Sequence, residues 1–186
     1  MDLIEKRDKV AFVSHCILNQ ATRAWWGEGG ASRERGMVSD VVGFLMRHGV
    51  GAIQMGCPEF SLYGNPRPPR SWEEYDTPEF KEKCREMAVQ TCDKMETLME
   101  RGTDPGIEIT AILGFEGSPS CGVKRTTRTI SGERRRAPGR GHLIEALRRE
   151  MKSRGLQVTF LGVSLREDER RDALRRLRAI VTDDVP

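Results

Sequence analysis

The sequence predicts an α/β fold: one domain spanning residues 1–186, built as an open parallel sheet with helices on both faces, a Rossmann-like or flavodoxin-like three-layer arrangement. Three observations predict it. Short apolar runs of strand length alternate with segments of helical periodicity along the whole chain. The runs are apolar throughout rather than on alternate residues, as strands covered on both faces are. A chain of 186 residues also suits one such domain and can bury a core without disulfide staples.

The first strand is expected at Val10–Ser14 (VAFVS). A glycine-rich loop follows. Met37, Val41, Phe44, Leu45 and His48 then recur at helical spacing, and Gly49 is placed to stop that helix. Val50–Met55 reads as a second buried strand. Gly56–Pro78 carries five prolines after Cys57 and predicts irregular backbone. A long helix comes next, with Thr77 as its cap, Pro78 in its first turn, and Phe80, Cys84, Met87, Ala88, Met95 and Leu98 on one face. Glu108–Gly114 is a third strand, rich in β-branched residues. Turn-rich basic sequence leads to a helix from about His142 to Ser153, closed by Gly155. Val158–Val163 is the fourth strand, and Ser164 with Glu167 forms a capping-box signature for a last helix bearing Leu174, Leu177 and Val181. The order of the strands cannot be read from this pattern.

Composition narrows the class. With 37% hydrophobic and 32% charged residues, and no apolar run near the ~18 residues of a membrane span, the expectation is a soluble, cytoplasmic protein. The start, MDLIEKRDK, does not resemble a signal peptide. Five cysteines in a reducing compartment are thiols, so metal binding or catalysis becomes the question. A net charge of +3 does not by itself imply nucleic-acid binding. Seven of the basic residues nevertheless crowd between Val123 and Arg140 against one acid, Glu133. A solvated arginine-rich hairpin is the simpler reading; a phosphate site at the following helix start is the alternative. There is no GxGxxG and no P-loop.

Three cysteines stand a few residues past predicted strand ends: Cys16 in SHCILNQ, Cys57 in MGCPE and Cys121 in GFEGSPSCG. In an open parallel sheet those ends share one edge, and ligands bind in the crevice outside it. Three soft thiolates there favour zinc, copper(I) or an iron–sulfur cluster. No fourth cysteine stands in a comparable position, so one coordination position is expected to stay open for water or substrate, as in catalytic sites. A lone cysteine past a strand is usually a small buried residue; the repetition at three equivalent places is what points to a metal centre. Cys84 and Cys92, eight apart on the apolar side of a helix, are expected to be core.

At these motifs the sequence resembles the 2-thiouracil desulfurases (TudS), and most closely the TudS-related desulfidases. SHCILNQ, QMGCPE and GSPSCGV match that family's signature segments, in its order, over Ser14–Val123. The resemblance implies a [4Fe-4S] cluster held by Cys16, Cys57 and Cys121. Its open iron would take sulfur from the thiocarbonyl of a small thiolated molecule, a thiouracil-like base or a thionucleotide, leaving an oxo product and sulfide. Glu59 becomes the candidate base for the attacking water, unless it merely orders the proline-rich loop. Ser118 and Ser120 are candidates for orienting substrate or water, or for forming a turn. His15 could contact substrate or a cluster sulfur, or be a fourth ligand, and Asn19 and Gln20 could read the edge of a base. Trp25, paired with Trp26, could stack on a heterocycle, or form a lid or a contact between identical subunits. His48 and His142 read as surface or helix-end residues. A non-catalytic cluster or zinc module remains a second reading. RNA binding is a third, without a recognisable RNA-binding module behind it.

Overall fold

In chain order the strands are β1 (Asp8–Val13), β2 (Val50–Gln54), β3 (Ile107–Phe115), β4 (Arg125–Ile130), β5 (Glu133–Pro138) and β6 (Thr159–Val163). The helices are α1 (His15–Leu18), α2 (Ser39–Arg47), α3 (Pro58–Tyr63), α4 (Pro78–Arg101), α5 (His142–Ser153) and α6 (Glu167–Val181). This computed structural model describes residues 7–24 and 34–182; Trp25 and Trp26 lie outside them.

All four apolar runs become strands of one parallel sheet, ordered β2-β1-β3-β6. The chain leaves β1 in one direction to form β2, then crosses back to form β3 on the other side of β1. The connections therefore diverge between β1 and β3, which opens a crevice outside the carboxyl ends of those strands. Cys16, Cys57 and Cys121 all follow strands that end there.

The pleat sends alternate side chains to opposite faces. Ala11, Val13, Ala111, Leu113 and Phe115 join one core with Val41, Phe44 and Leu45 of α2 and Leu177 and Val181 of α6. Phe12 and Ile112 point the other way, into Cys92 and Met95 of α4 and Leu147 and Met151 of α5. Each large side chain buried in this way contributes about 1.5–3 kcal/mol. The three-layer expectation holds.

Local chemistry explains most helix boundaries. Thr77 Oγ1 accepts from Phe80 N–H at 3.2 Å and Pro78 occupies the first turn of α4. Gly49 closes α2 at φ +64°, a conformation that suits glycine. The capping box expected for α6 does not form: the helix begins one residue after Arg166, and Ser164 Oγ instead accepts the Arg166 N–H at 3.1 Å.

Two segments differ from the sequence reading. Gly56–Pro78 is not irregular throughout, because Cys57 caps a short helix and Pro58 begins it, giving α3. The basic stretch folds as an antiparallel hairpin, β4–β5, around Ser131 and Gly132, both at positive φ. Its second strand is largely exposed. Trp72 ties the hairpin to the body, its N–H donating to Thr127 O at 2.8 Å. The Trp72 ring stacks on His142, which begins a helix as expected but is buried rather than on the surface. Among the described residues, no helix is long and apolar enough to cross a membrane.

Candidate metal centre

Each of the three cysteines is held by a different local device. Cys16 lies in α1, directly after β1. Cys57 is the N-cap of α3, its Sγ accepting the Phe60 N–H at 3.4 Å. Cys121 ends a tight loop in which Ser118 Oγ accepts both the Ser120 and Cys121 N–H groups, at 3.1 and 3.0 Å. The start of α5 docks on that same loop, His142 N–H donating to Pro119 O and Leu143 N–H to Ser120 O, at 2.9 and 3.0 Å. Those first-turn donors are therefore spent inside the fold, and the phosphate alternative for this helix start loses its donors. Two glycines permit the close approach: a Cβ on Gly114 would stand 2.4 Å from Cys121 O, and one on Gly141 2.3 Å from Ser120 O.

All three thiols line one cavity of about 280 Å³, with His15, Glu59 and Ser118. Burial is the first cause of the rise in each of their pKa values. Burial pushes the Cys16 thiol up to about 12, with Cys57 the next cause, and burial followed by Glu59 raises Cys57 to about 11. Cys121 rises well above its usual range through burial, Cys16 and Cys57, in that order. A hydrogen bond from the buried Ser14 side chain to the Cys121 sulfur opposes that rise. Buried thiols whose ionisation is opposed by burial and by neighbouring sulfurs or Glu59 hold their protons until a cation replaces them. Among the described residues, no three His, Cys, Asp or Glu side chains form a group that could hold a single metal ion.

Glu59 connects the helix after Cys57 to the loop before Cys121. Its Oε1 accepts from Ser120 Oγ at 2.6 Å and from Ser118 Oγ at 3.5 Å. Its Oε2 accepts from Tyr75 Oη at 3.3 Å and pairs with Arg67 at 3.4 Å. Burial, then Glu59 itself, raises the Tyr75 pKa, so the phenol keeps its proton and donates. Arg67 and Tyr75 carry no motif, and the sequence reading missed both.

Other candidates fall in different places. His15 lines the cavity, its ring 6.2 Å from that of Phe60, and burial followed by Arg67 lowers its pKa toward a neutral imidazole. Its Nε2 is buried and has no hydrogen-bond partner among the described residues. Asn19 and Gln20 do not line the cavity. Asn19 Oδ1 accepts the Ala21 N–H, while Gln20 donates to Cys16 O and accepts from the Glu34 N–H. Cys84 is buried in the core as expected, yet Glu59 and Cys57 lie near enough to add to the rise that burial gives its pKa. A larger cavity of about 970 Å³ lies between α4, α5 and the hairpin, and none of the three strand-end cysteines lines it.

No family model matches the chain. MJ0003, an uncharacterised protein of Methanocaldococcus jannaschii, is 33% identical over 118 residues, which are 63% of this chain and 70% of MJ0003. The chain belongs to the family of MJ0003. The solved structure of a [4Fe-4S]-dependent thiouracil desulfidase, TudS, superposes with a TM-score of 0.50 at 24% identity, over 93% of this chain and 99% of that one. This member of the MJ0003 family therefore shares the TudS fold.

Proposed function

We propose that this chain is an iron–sulfur-dependent desulfidase that removes sulfur from the thiocarbonyl of a small thiolated compound, a thiouracil-like base or a thionucleotide. The observation that carries this reading is the convergence of Cys16, Cys57 and Cys121 on one cavity into which a fixed carboxylate also faces. The motif resemblance and the shared TudS fold point the same way.

The donor set fits a [4Fe-4S] cluster. Three sulfurs surround a cavity rather than a point, and a four-iron cube needs more room than a single zinc, whose bonds to sulfur are about 2.3 Å. When bound, the cluster would supply a soft Lewis acid for sulfur through the iron that no cysteine holds. The protein's own part is proton handling. Exchange of C=S for C=O consumes one water, releases sulfide and needs no oxidant. Glu59 would accept the proton of the attacking water at a carboxylate oxygen, and Ser120 would fix its direction. Tyr75 and Arg67 hold the other oxygen and leave the first to the cavity side.

A second reading, a coordinatively closed centre without catalysis, draws on the partnerless Nε2 of His15, which could be a fourth ligand. Anaerobic reconstitution separates the two. Roughly four irons and four sulfides per chain, with turnover of 2-thiouracil or its nucleotide, supports the desulfidase. Zinc alone, or a cluster that loses a ligand in His15→Ala and turns over nothing, supports the closed centre. Cys→Ser at each of the three positions should abolish iron loading, whereas Cys84→Ala should retain it.

A further inference from the structure

The larger cavity, of about 970 Å³ between α4, α5 and the β4–β5 hairpin, has a floor of short apolar side chains: Cys84, Ala88, Val123 and Ala146. Larger residues at those places on two packed helices would close the hollow. Six cations line it, namely Lys81, Arg85, Lys124, Arg128, Arg140 and Arg149. Three of them have an acid each: Lys81 pairs with Asp76, Arg85 with Glu82 and Arg128 with Glu73. Of the two acids in the lining, Glu150 is taken by Arg154 at 2.7 Å. Glu145 is left for both Arg140 and Arg149, at 3.4 and 3.5 Å. Lys124 has no acid partner among the described residues. Its carbonyl accepts the Gly139 N–H at 3.0 Å, which brings its backbone next to Arg140.

We propose that this end of the cavity is a second ligand site, for a phosphorylated small molecule, with Lys124, Arg140 and Arg149 on the phosphate and the apolar floor under its body. Unbalanced charge is concentrated there, three cations around the single carboxylate of Glu145. Arg140 also lies close enough to Arg148 to add to burial in lowering the Arg148 pKa, so a further cation crowds the same end. Like charges held together repel, and an incoming anion relieves that repulsion. Both contacts to Glu145 are longer than the ~2.7–2.9 Å of a strong charge-assisted bond, so a phosphate with more acceptor oxygens can outcompete that carboxylate. The rest of the wall has its cations matched by acids, which suits a compact anion better than an extended one. The first-turn N–H groups of α5 are spent on Pro119 and Ser120, so side chains must hold the phosphate. A hollow of this size with an apolar floor and a few convergent charges is the usual form of a small-molecule site. The proposal does not depend on the desulfidase reading, since none of the three strand-end cysteines lines this cavity.

Calorimetry on the full chain with ADP, adenosine and inorganic pyrophosphate tests this. ADP should bind more tightly than adenosine by about tenfold or more, the scale of one hydrogen bond to a charged group. It should also bind more tightly than pyrophosphate, which has no body for the apolar floor. Arg149→Gln and Lys124→Gln, both at exposed positions, should each weaken ADP binding by about threefold or more. Glu145→Gln should act the other way and tighten it, because the competing carboxylate is gone. Arg70→Gln, in the cysteine cavity, should leave it unchanged. ADP binding that survives both cation variants, or that weakens in Glu145→Gln, overturns the site. So does ADP that binds no better than adenosine up to about 1 mM, and so does loss of ADP binding in Arg70→Gln, which would put the ligand in the other cavity. An RNA oligonucleotide that binds more tightly than ADP, with steep salt dependence, overturns the small-molecule assignment in favour of a nucleic-acid surface.

Discussion

Ser120 Oγ donates to Glu59 Oε1 at 2.6 Å, joining residues 61 positions apart; Glu59 lines the cysteine cavity and Ser120 is buried behind it. The serine comes from the loop after β3, the carboxylate from the first turn of α3. The bond fixes where the carboxylate's open lone pairs point. Ser120→Ala leaves Oε1 with Ser118 at 3.5 Å, too long to hold it firmly. The expected result is a fall in kcat of about tenfold or more at unchanged iron content, and Glu59→Gln should cost roughly 10²–10⁴-fold, the range for losing a general base. Loss of iron in both variants would make the pair structural instead.

The other oxygen of Glu59 has a different burden. Arg67 is 5% exposed and faces a carboxylate 3.4 Å away, so removing one partner leaves a buried charge unpaired. Arg67→Met should lower unfolding free energy by about 3–5 kcal/mol. The double variant Arg67→Met/Glu59→Gln should recover much of that loss, since neither charge is then stranded. Denaturant midpoints of the two single variants and the double variant measure the coupling. Simple additivity would mean that Arg67 serves the Thr22 and Gly64 carbonyls rather than Glu59.

Sequence alone reveals the parts of this site that topology controls. Cys16, Cys57 and Cys121 follow three strands, and a parallel sheet brings such residues to one edge whatever the loops do. It does not reveal the parts that loop paths control. Arg67 and Tyr75 reach Glu59 through a proline-rich segment whose course depends on α3, and α3 itself depends on a thiol acting as a cap. Asn19 and Gln20 lie outside the cavity lining for a related reason. Short polar side chains beside a strand end are recruited by the nearest backbone groups, here Ala21 N–H, Cys16 O and Glu34 N–H, before any ligand arrives. The strand order was equally hidden, since hydrophobic runs mark strands and not their neighbours.

Loop geometry around Cys121 makes its own prediction. A methyl on Gly141 would fall 2.3 Å from Ser120 O, a backbone atom with no freedom to give way. Gly141→Ala should therefore destabilise the fold by about 1–3 kcal/mol, the usual cost of overpacking, and push the Ser120–Cys121 loop away from Glu59. Thermal unfolding measures the first effect. The second appears as lower kcat in protein that still loads iron. Wild-type stability in this variant would mean that α5 can slide off the loop at little cost.

The hairpin should add an acid-sensitive contribution to stability. Arg134 grips both carboxylate oxygens of Glu74, at 2.8 and 2.9 Å, and the Ser71 N–H donates to one of them at 2.7 Å. These contacts, Arg134 foremost, pull the Glu74 pKa down to about 2 from an ordinary 4.5. A carboxyl whose pKa is lower in the folded chain stabilises the fold above its unfolded pKa and loses that effect as pH falls. The difference in melting temperature between wild type and Glu74→Gln should thus be full above about pH 4.5 and shrink toward zero near pH 2. The pair is partly exposed, so 1 M salt should reduce the difference at every pH. A difference that persists unchanged from pH 5 to pH 2 would show that Glu74 stabilises the hairpin by packing and not by its charge.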